Sequence, residues 1–426
     1  MLGLVRKIFG TIQNGNGETK GSGATAITRT DCLMSAMAIF GMKYPSLLQF
    51  DQSYREASIK ANIETLYGVK KVPCDTYLRE RLDDVNPQDL RSAFKAVFNE
   101  LQRGKALEQF QFFDGYYLVS ADGTGLFESK SIHCNTCCEK EHRDGTKSYY
   151  HQSYGAAIVH PSKKVVIPLA PEQIIRGDGS TKNDCELNAL KRFIANFRAD
   201  HPRLKAILTC DAIASKAPHI RLMIDAGLGF ILGVKQSDHK ALFESAKHAC
   251  KTFAIRVNGI TYQFRYANKL PLNDSNMDLN VNFLECIETN KKGKKTTYSW
   301  VTHIELNETN LYKVMQGGRA RWKIENETFN TLKNQGYQFE HNFGHGYKYL
   351  CSVFAMLMYL AFLIDQVAQE CDFLFQEALK KKKRKIMFWQ ALRGAFLHYV
   401  IESWDQLWHA LIYGYKKEKL QPDYGP

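Results

Sequence analysis

Tyr116-Tyr117-Leu118-Val119-Ser120-Ala121-Asp122-Gly123-Thr124-Gly125 reads as an apolar strand that runs into a carboxylate and then into glycine. The aromatic and β-branched residues from Tyr116 to Val119 suit a pleated, half-buried backbone. Two runs of the same kind follow, Gly155–Val159 and Lys164–Pro168. The period then changes. Asn183–Ala199 has a helical pattern, Leu204–Thr209 that of a strand, Ser215–Ala226 that of a helix and Gly229–Val234 that of another strand. Three strands followed by alternating helix and strand predict an α/β fold: a mixed sheet with helices packed on it. An RNase H-like sheet has this order, and other α/β folds share it.

Two aspartates stand where these strands are expected to end. Asp122 closes the first, and Asp211 follows Ala206-Ile207-Leu208-Thr209-Cys210. A carboxylate at the C-terminal end of an apolar strand faces the sheet edge, where α/β active sites lie. An Asp in that place also serves as an ordinary turn or helix cap.

A third carboxylate comes from Gly318–Lys333, a stretch without Pro that can run as a helix. At roughly 100° per residue, Trp322, Glu325, Phe329 and Leu332 fall within an arc of about 80°. Glu325 is therefore expected inside the apolar stripe, with Glu327 on the far side. A buried carboxylate needs a cation. Arg321, one turn earlier, can supply it as a structural pair, and a divalent metal is the alternative. Three hard oxygen ligands at Asp122, Asp211 and Glu325 suit Mg²⁺ or Mn²⁺, and two such ions serve phosphodiester chemistry.

Between the last sheet strand and this helix, Phe253–Val257 and Ile260–Tyr266 flank Asn258-Gly259, a strong hairpin signal. Leu279–Ile287 and Thr296–Thr302 flank a turn rich in lysine, including Lys292 and Lys294. These runs predict a β insertion with a basic tip.

At these residues the chain resembles the DDE transposases of bacterial insertion sequences, in the branch sharing the insertion-sequence-four-type DDE domain. Asp122-Gly-Thr, Asp211-Ala and Arg321-Trp322-Lys323-Ile324-Glu325 carry the resemblance, together with the β insertion; it spans about residues 110–365. It implies an RNase H-like core in which Asp122, Asp211 and Glu325 hold two Mg²⁺ or Mn²⁺ ions. It also implies cleavage at insertion-sequence ends, strand transfer into target DNA, and a homodimer on DNA in the bacterial cytoplasm and nucleoid. The family signature is Tyr, Arg after two intervening residues, Glu after three and Lys after six. Here Arg321 and Glu325 fit, whereas position 318 is Gly, position 332 is Leu, and Lys333 comes one residue late. Relatives with an insertion use an aromatic residue there to hold a flipped base. Trp300 is the candidate, and a Trp packed in the insertion's own core is the other reading. A nuclease that cuts without joining, or a non-catalytic DNA-binding derivative, are the competing functions.

The remainder of the chain is consistent with a DNA partner. Its 426 residues carry a formal net charge of +13, which favours a polyanion. Hydrophobic residues at 44% suffice for a large core. The odd count of 11 cysteines, without framework spacing, fits reduced thiols in a cytosolic protein. Leu350–Ile364 is apolar but shorter than the roughly 20 residues of a membrane span, so it is expected as a core helix with no membrane partner.

The expected organisation is a flexible arm at 1–23 and a helical DNA-binding domain at 24–108. The catalytic core follows at 109–250 and 312–372, split by the β insertion at 251–311, and a basic helical region ends the chain at 373–426. Within the second segment, residues 62–67, Gly68 and residues 76–85 form a passable helix-turn-helix, with Arg79 and Arg81 on the second helix; an ordinary helical hairpin reads equally well. The basic run at 380–385 is either solvated surface or a phosphate contact, as are the lysines at 291–295. Asp184 and Glu186 read as helix-opening acids, or as groups standing behind the metal ligands. His341–Gly346 reads as a loop with satisfied histidines. Finally, His133–Cys138 with His142 and His151 reads as a metal-binding cluster: Cys134-x-x-Cys137 with nearby His142 is half of a zinc signature, and unliganded thiols are the alternative.

Overall fold

The computed structural model describes residues 1–12, 27–176 and 183–415. The Gly-rich part of the expected arm and Lys182 lie outside the described residues.

The strands are β1 (Gln111–Phe113), β2 (Tyr116–Ser129), β3 (Cys138–Glu141), β4 (Lys147–Val159), β5 (Ile167–Pro168), β6 (Glu172–Ile174), β7 (Ala206–Cys210), β8 (Gly229–Gly233), β9 (Lys251–Val257), β10 (Ile260–Pro271), β11 (Asn280–Thr289) and β12 (Lys295–Thr302). They form one sheet in the order β3-β4-β2-β7-β8-β12-β11-β10-β9, with β1 on β2 and both β5 and β6 on β4. β2 runs antiparallel to β4 and parallel to β7, which is itself parallel to β8. This is the mixed RNase H-like arrangement expected from the order of elements. Helix Glu186–Asp200 leads into β7, and helix Ala217–Asp225 joins β7 to β8, giving the crossovers that parallel neighbours require.

The insertion strands extend the same sheet. β12 pairs antiparallel with β8, aligning Trp300 with Gly233, and β11, β10 and β9 follow outward as a meander. The hairpin turn at Asn258-Gly259 has both residues at positive φ, as its sequence demands.

β2 does not stop at Asp122 as expected. It continues to Ser129, because β4 keeps pairing with it through Asp122↔Gly155 and on past an irregularity near Gly125. What ends near Asp122 is the parallel pairing with β7, whose last aligned pair is Ser120↔Thr209.

The N-terminal and C-terminal helices pack together. Helix Arg29–Gly41, buried almost throughout, lies against helix Leu350–Cys371. The latter is long and apolar enough to cross a membrane, yet 83% of its apolar window is buried inside the protein. Lys43 Nζ, fully buried, meets Asp365 Oδ2 at 2.5 Å, and Tyr337 donates its hydroxyl to the same carboxylate. The Asn62 amide bonds the carbonyls of Phe396 and Tyr399 and accepts from Ile401 N. Arg91 ties this helical layer to β6 through Glu172 at 2.6 Å and to helix Glu186–Asp200 through Asp200 at 2.7 Å.

Two local expectations are corrected. The chain begins with a helix, Leu2–Phe9, whose Val5 and Phe9 are buried, so the first residues are not a loose arm. Helix Asp75–Asp83 packs principally on helices Arg29–Gly41 and Leu350–Cys371, not on Ala57–Tyr67 as a helix-turn-helix would require. Leu78 and Leu82 face that core; Arg79 is paired with Asp75 and Arg81 is half-buried.

Candidate active site

Parallel register brings the two aspartates together. β2 and β7 pair with a constant offset from Tyr117↔Ala206 to Ser120↔Thr209. Two residues further along, that offset aligns Asp122 with Asp211. Asp122 Oδ1 accepts from Gly123 N at 2.8 Å, and Asp211 Oδ1 caps the next turn by accepting from Ile213 N at 3.1 Å.

Glu325 arrives from the other side of the chain. Its backbone is not the single α-helix expected from the sequence. An α-helix ends at Arg319, bonds of the i→i+3 kind carry residues 320–324, and Ile324–Phe329 is π-helical before Asn330–Asn334 resumes the α form. The apolar face changes accordingly. Ile324, Thr328, Phe329 and Leu332 are buried, whereas Trp322 is 52% exposed and the Glu325 side chain 41% exposed. The expected burial of Trp322 and Glu325 in one apolar stripe is therefore corrected: the altered winding leaves both partly exposed, Trp322 beside the cleft and Glu325 against Arg321. A π turn bonds i→i+5 and absorbs one extra residue. Lys333 consequently takes the angular place that residue 332 would have in an uninterrupted α-helix. It is held there by Glu340 at 2.7 Å.

One guanidinium joins the strand to this helix. Arg321 Nη1 donates to Asp122 Oδ2 at 3.0 Å and to Glu325 Oε1 at 2.7 Å, and Ser120 Oγ donates to the Arg321 carbonyl at 2.8 Å. The expected Arg321–Glu325 pair exists and includes Asp122 as well. Phe329 lies over Gly155, directly across the ladder from Asp122; a Cβ there would come within 2.6 Å of the Phe329 ring and the Tyr359 hydroxyl. Glycine is what allows the Glu325 segment to approach the sheet this closely.

A further carboxylate stands beside Asp122 and Asp211. Glu186, at the first turn of its helix, lies over Gly123, where a Cβ would fall 2.1 Å from Glu186 Oε1. Burial pushes the Asp122 carboxyl up to about 6; the Gly123 N–H and Arg321 oppose the shift, while Asp211 and Glu186 add to it. Burial, then Asp211, raises Glu186 too. The like-charged cluster is thus incompletely neutralised by Arg321, a setting whose oxygen donors suit a hard divalent cation.

An open cleft of about 560 Å³ borders the cluster, lined by Asp211, Trp300, Gly318, Arg319, Arg321 and Trp322 among others. Trp300 is buried, stacks on Tyr298 and fills the space above Gly318, so it belongs to the wall between insertion and Glu325 segment rather than to a core of the insertion alone. Arg319 pairs with Glu288 and lies over the Tyr298 ring, tying the two walls together. Lys292 and Lys294 are exposed at the β11–β12 tip, whose backbone N–H groups both bond Asn290 Oδ1. The 380–385 run closes helix Phe373–Lys382, turns at Lys383 and Arg384 and opens helix Lys385–His398, where Lys385 is half-buried.

The half zinc signature is completed by residues other than His142, which bonds Ser148 Oγ at 2.9 Å. Cys134 and Cys137 instead meet His151 from β4 and His345 from the loop after the Glu325 segment, with the four ligand atoms all within 4.8 Å of one another. His345 is not the ordinary loop histidine expected.

No protein-family model and no curated protein matches this chain. Among solved structures it is similar to a piggyBac transposase, in a cryo-EM synaptic complex with hairpin DNA. The TM-score is 0.40 at 12% identity, covering 100% of this chain and 83% of that one.

Proposed function

We propose that this protein is a DNA transposase of the DDE type, cutting DNA at the ends of a mobile element and joining the freed ends to a target. The observation that carries this reading is the convergence of Asp122, Asp211 and Glu325 at one edge of an RNase H-like sheet, with Arg321 bridging two of them. Asp122, Asp211 and Glu325 would hold Mg²⁺ or Mn²⁺, which supplies activation of the attacking oxygen and stabilisation of the leaving one.

The chain's own part is placement and charge. Burial and the neighbouring acids raise the Asp122 carboxyl to about 6, so below that pH cation binding there would be coupled to release of a proton. Arg321 fixes Asp122 against Glu325 and keeps the helix docked. The first reaction is in-line attack of water on a phosphodiester, breaking the bond to the 3′ oxygen and releasing a 3′ hydroxyl. The second is attack of that hydroxyl on a target phosphodiester, forming the new bond as the target strand's own 3′ oxygen leaves and takes up the proton, with no covalent protein intermediate.

The cleft walls supply the DNA contacts. Exposed Trp322, with Arg321 over its ring at 5.3 Å, offers a stacking face. Trp300, in the adjacent wall, shapes the space for a base. Lys292, Lys294 and Lys333 supply phosphate contacts, Lys333 on leaving Glu340. Arg79, exposed though paired with Asp75, is a further backbone contact, and the assembly on paired ends is a homodimer. The test is incubation with Mg²⁺, labelled element ends and a target plasmid. Joined products are expected; cleavage without joining would identify a nuclease, and binding without cleavage a non-catalytic derivative.

A further inference from the structure

We propose that Cys134, Cys137, His151 and His345 bind one structural zinc ion, which fastens the loop following the Glu325 segment to the β2–β4 hairpin. The argument is independent of any chemistry at Asp122.

The four side chains are brought together from three places. Cys134 and Cys137 lie in the loop after β2, His151 on β4 facing Phe127 across the ladder, and His345 some two hundred residues later. All are shielded from solvent: His151 is 1% and Cys137 2% exposed, Cys134 and His345 8% each. The spacings are those of ligands around a single small ion. A tetrahedral centre with Zn–S bonds of about 2.3 Å places two sulfurs about 3.8 Å apart. Cys134 Sγ and Cys137 Sγ are 3.8 Å apart. Cys134 Sγ to His151 Nε2 is 3.3 Å, and Cys137 Sγ to His345 Nε2 is 2.9 Å; the ion would widen these edges toward about 3.6 Å.

Other readings of the cluster fit less well. The sulfur separation is far from a disulfide bond of about 2.05 Å. A two-iron cluster with two Cys and two His would place the pairs on different metals, whereas here every ligand atom lies within 4.8 Å of the others. Neither imidazole has another polar partner among the described residues, since Nδ1 of both is buried without a hydrogen bond. Both rings are thus committed through Nε2 to the sulfurs. Two thiolates and two imidazoles with no open position make a closed zinc site, structural rather than catalytic.

Its place in the fold gives it a purpose. The loop carrying His345 is otherwise held by Asp83, whose carboxylate accepts from the backbone N–H groups of Tyr347, Lys348, Tyr349 and Leu350. Zinc adds the second attachment, to the strands that carry Asp122 and Gly155.

Metal content of the full-length protein, purified without added metal, tests this directly. About one zinc per chain is expected by plasma mass spectrometry. Replacement by Co²⁺ should give a near-ultraviolet thiolate-to-cobalt band together with visible bands of tetrahedral intensity. His142→Asn should retain the metal, while Cys137→Ser and His345→Asn lose it. The wild-type cobalt spectrum decides the matter even if those variants fail to fold. A metal-free protein that takes up no cobalt, a Cys134–Cys137 disulfide in freshly isolated protein, or zinc lost with His142 and kept without His345 would overturn the assignment.

Discussion

The Trp300 indole occupies the space that a side chain at position 318 would need: a Cβ on Gly318 would lie 2.4 Å from Trp300 Nε1. Glycine at this position is thus coupled to a Trp in the facing strand. Gly318→Ala is expected to lower stability by about 1–3 kcal/mol through overpacking. In the Trp300→Ala background the same change should cost clearly less. Denaturant unfolding of the four proteins of that cycle measures the coupling, and additive costs would remove the link between the two positions.

Gly155 plays a comparable part beneath the carboxylates. A methyl group there meets the Phe329 ring, from the Glu325 segment, and the Tyr359 hydroxyl, from the long core helix, both of them buried. Gly155→Ala should cost about 1–3 kcal/mol in stability and reduce cleavage by more than the folded fraction explains. Parallel unfolding and single-turnover cleavage measurements separate the two effects.

The Lys43–Asp365 pair holds the N-terminal helices to the long core helix. Burial pushes the Lys43 pKa down and the Asp365 pKa up, each opposed by the other's charge. Lys43→Met would strand a buried carboxylate, with an expected loss of about 3–5 kcal/mol. Changing both residues, Lys43→Met with Asp365→Leu, should recover much of it. Midpoints of chemical denaturation report the difference.

His201, at the end of helix Glu186–Asp200, sits between Phe98 and Phe197. Burial pushes its pKa down from 6.5 to about 4, with Asp200 opposing. The unfolded chain then binds more protons than the folded one between these values. Its contribution is present above pH 6.5 and lost as pH falls toward 4. His201→Phe should flatten the rise of stability over pH 4–6.5, as read from thermal melts at fixed ionic strength.

The succession of strands and helices and the strands of the β insertion were legible because short apolar runs and turn residues are local signals; the run of β2 past Asp122 to Ser129 and strand β3 were not, since they depend on pairing with β4. The helix around Glu325 was legible only in part. Its apolar spacing fitted an α-helix, and nothing in Gly318–Lys333 announces the π turn that exposes Trp322 and brings Lys333 into phase. Glu186 looked like a helix-opening acid, since its proximity to Gly123 depends on how the helix crosses the sheet. His142 was chosen over His345 as a partner for Cys134 and Cys137 because it is close in sequence; the loop that returns His345 is positioned by Asp83, far away in the chain. The helix-turn-helix failed for the same reason, with Leu78 and Leu82 claimed by a distant core helix.

The central claim rests on three carboxylates that share one place, and cleavage of DNA bearing the element's ends in Mg²⁺ or Mn²⁺ tests it most directly. Wild type is compared with Asp122→Asn, Asp211→Asn, Glu325→Gln and the neighbouring Glu327→Gln, each first shown to be folded. Loss of cleavage by a factor of about a thousand or more in the first three, with Glu327→Gln near wild type, is the expected result. Equal activity in Glu325→Gln and Glu327→Gln would contradict it, reducing Arg321, Asp122 and Glu325 to a structural ion-pair network.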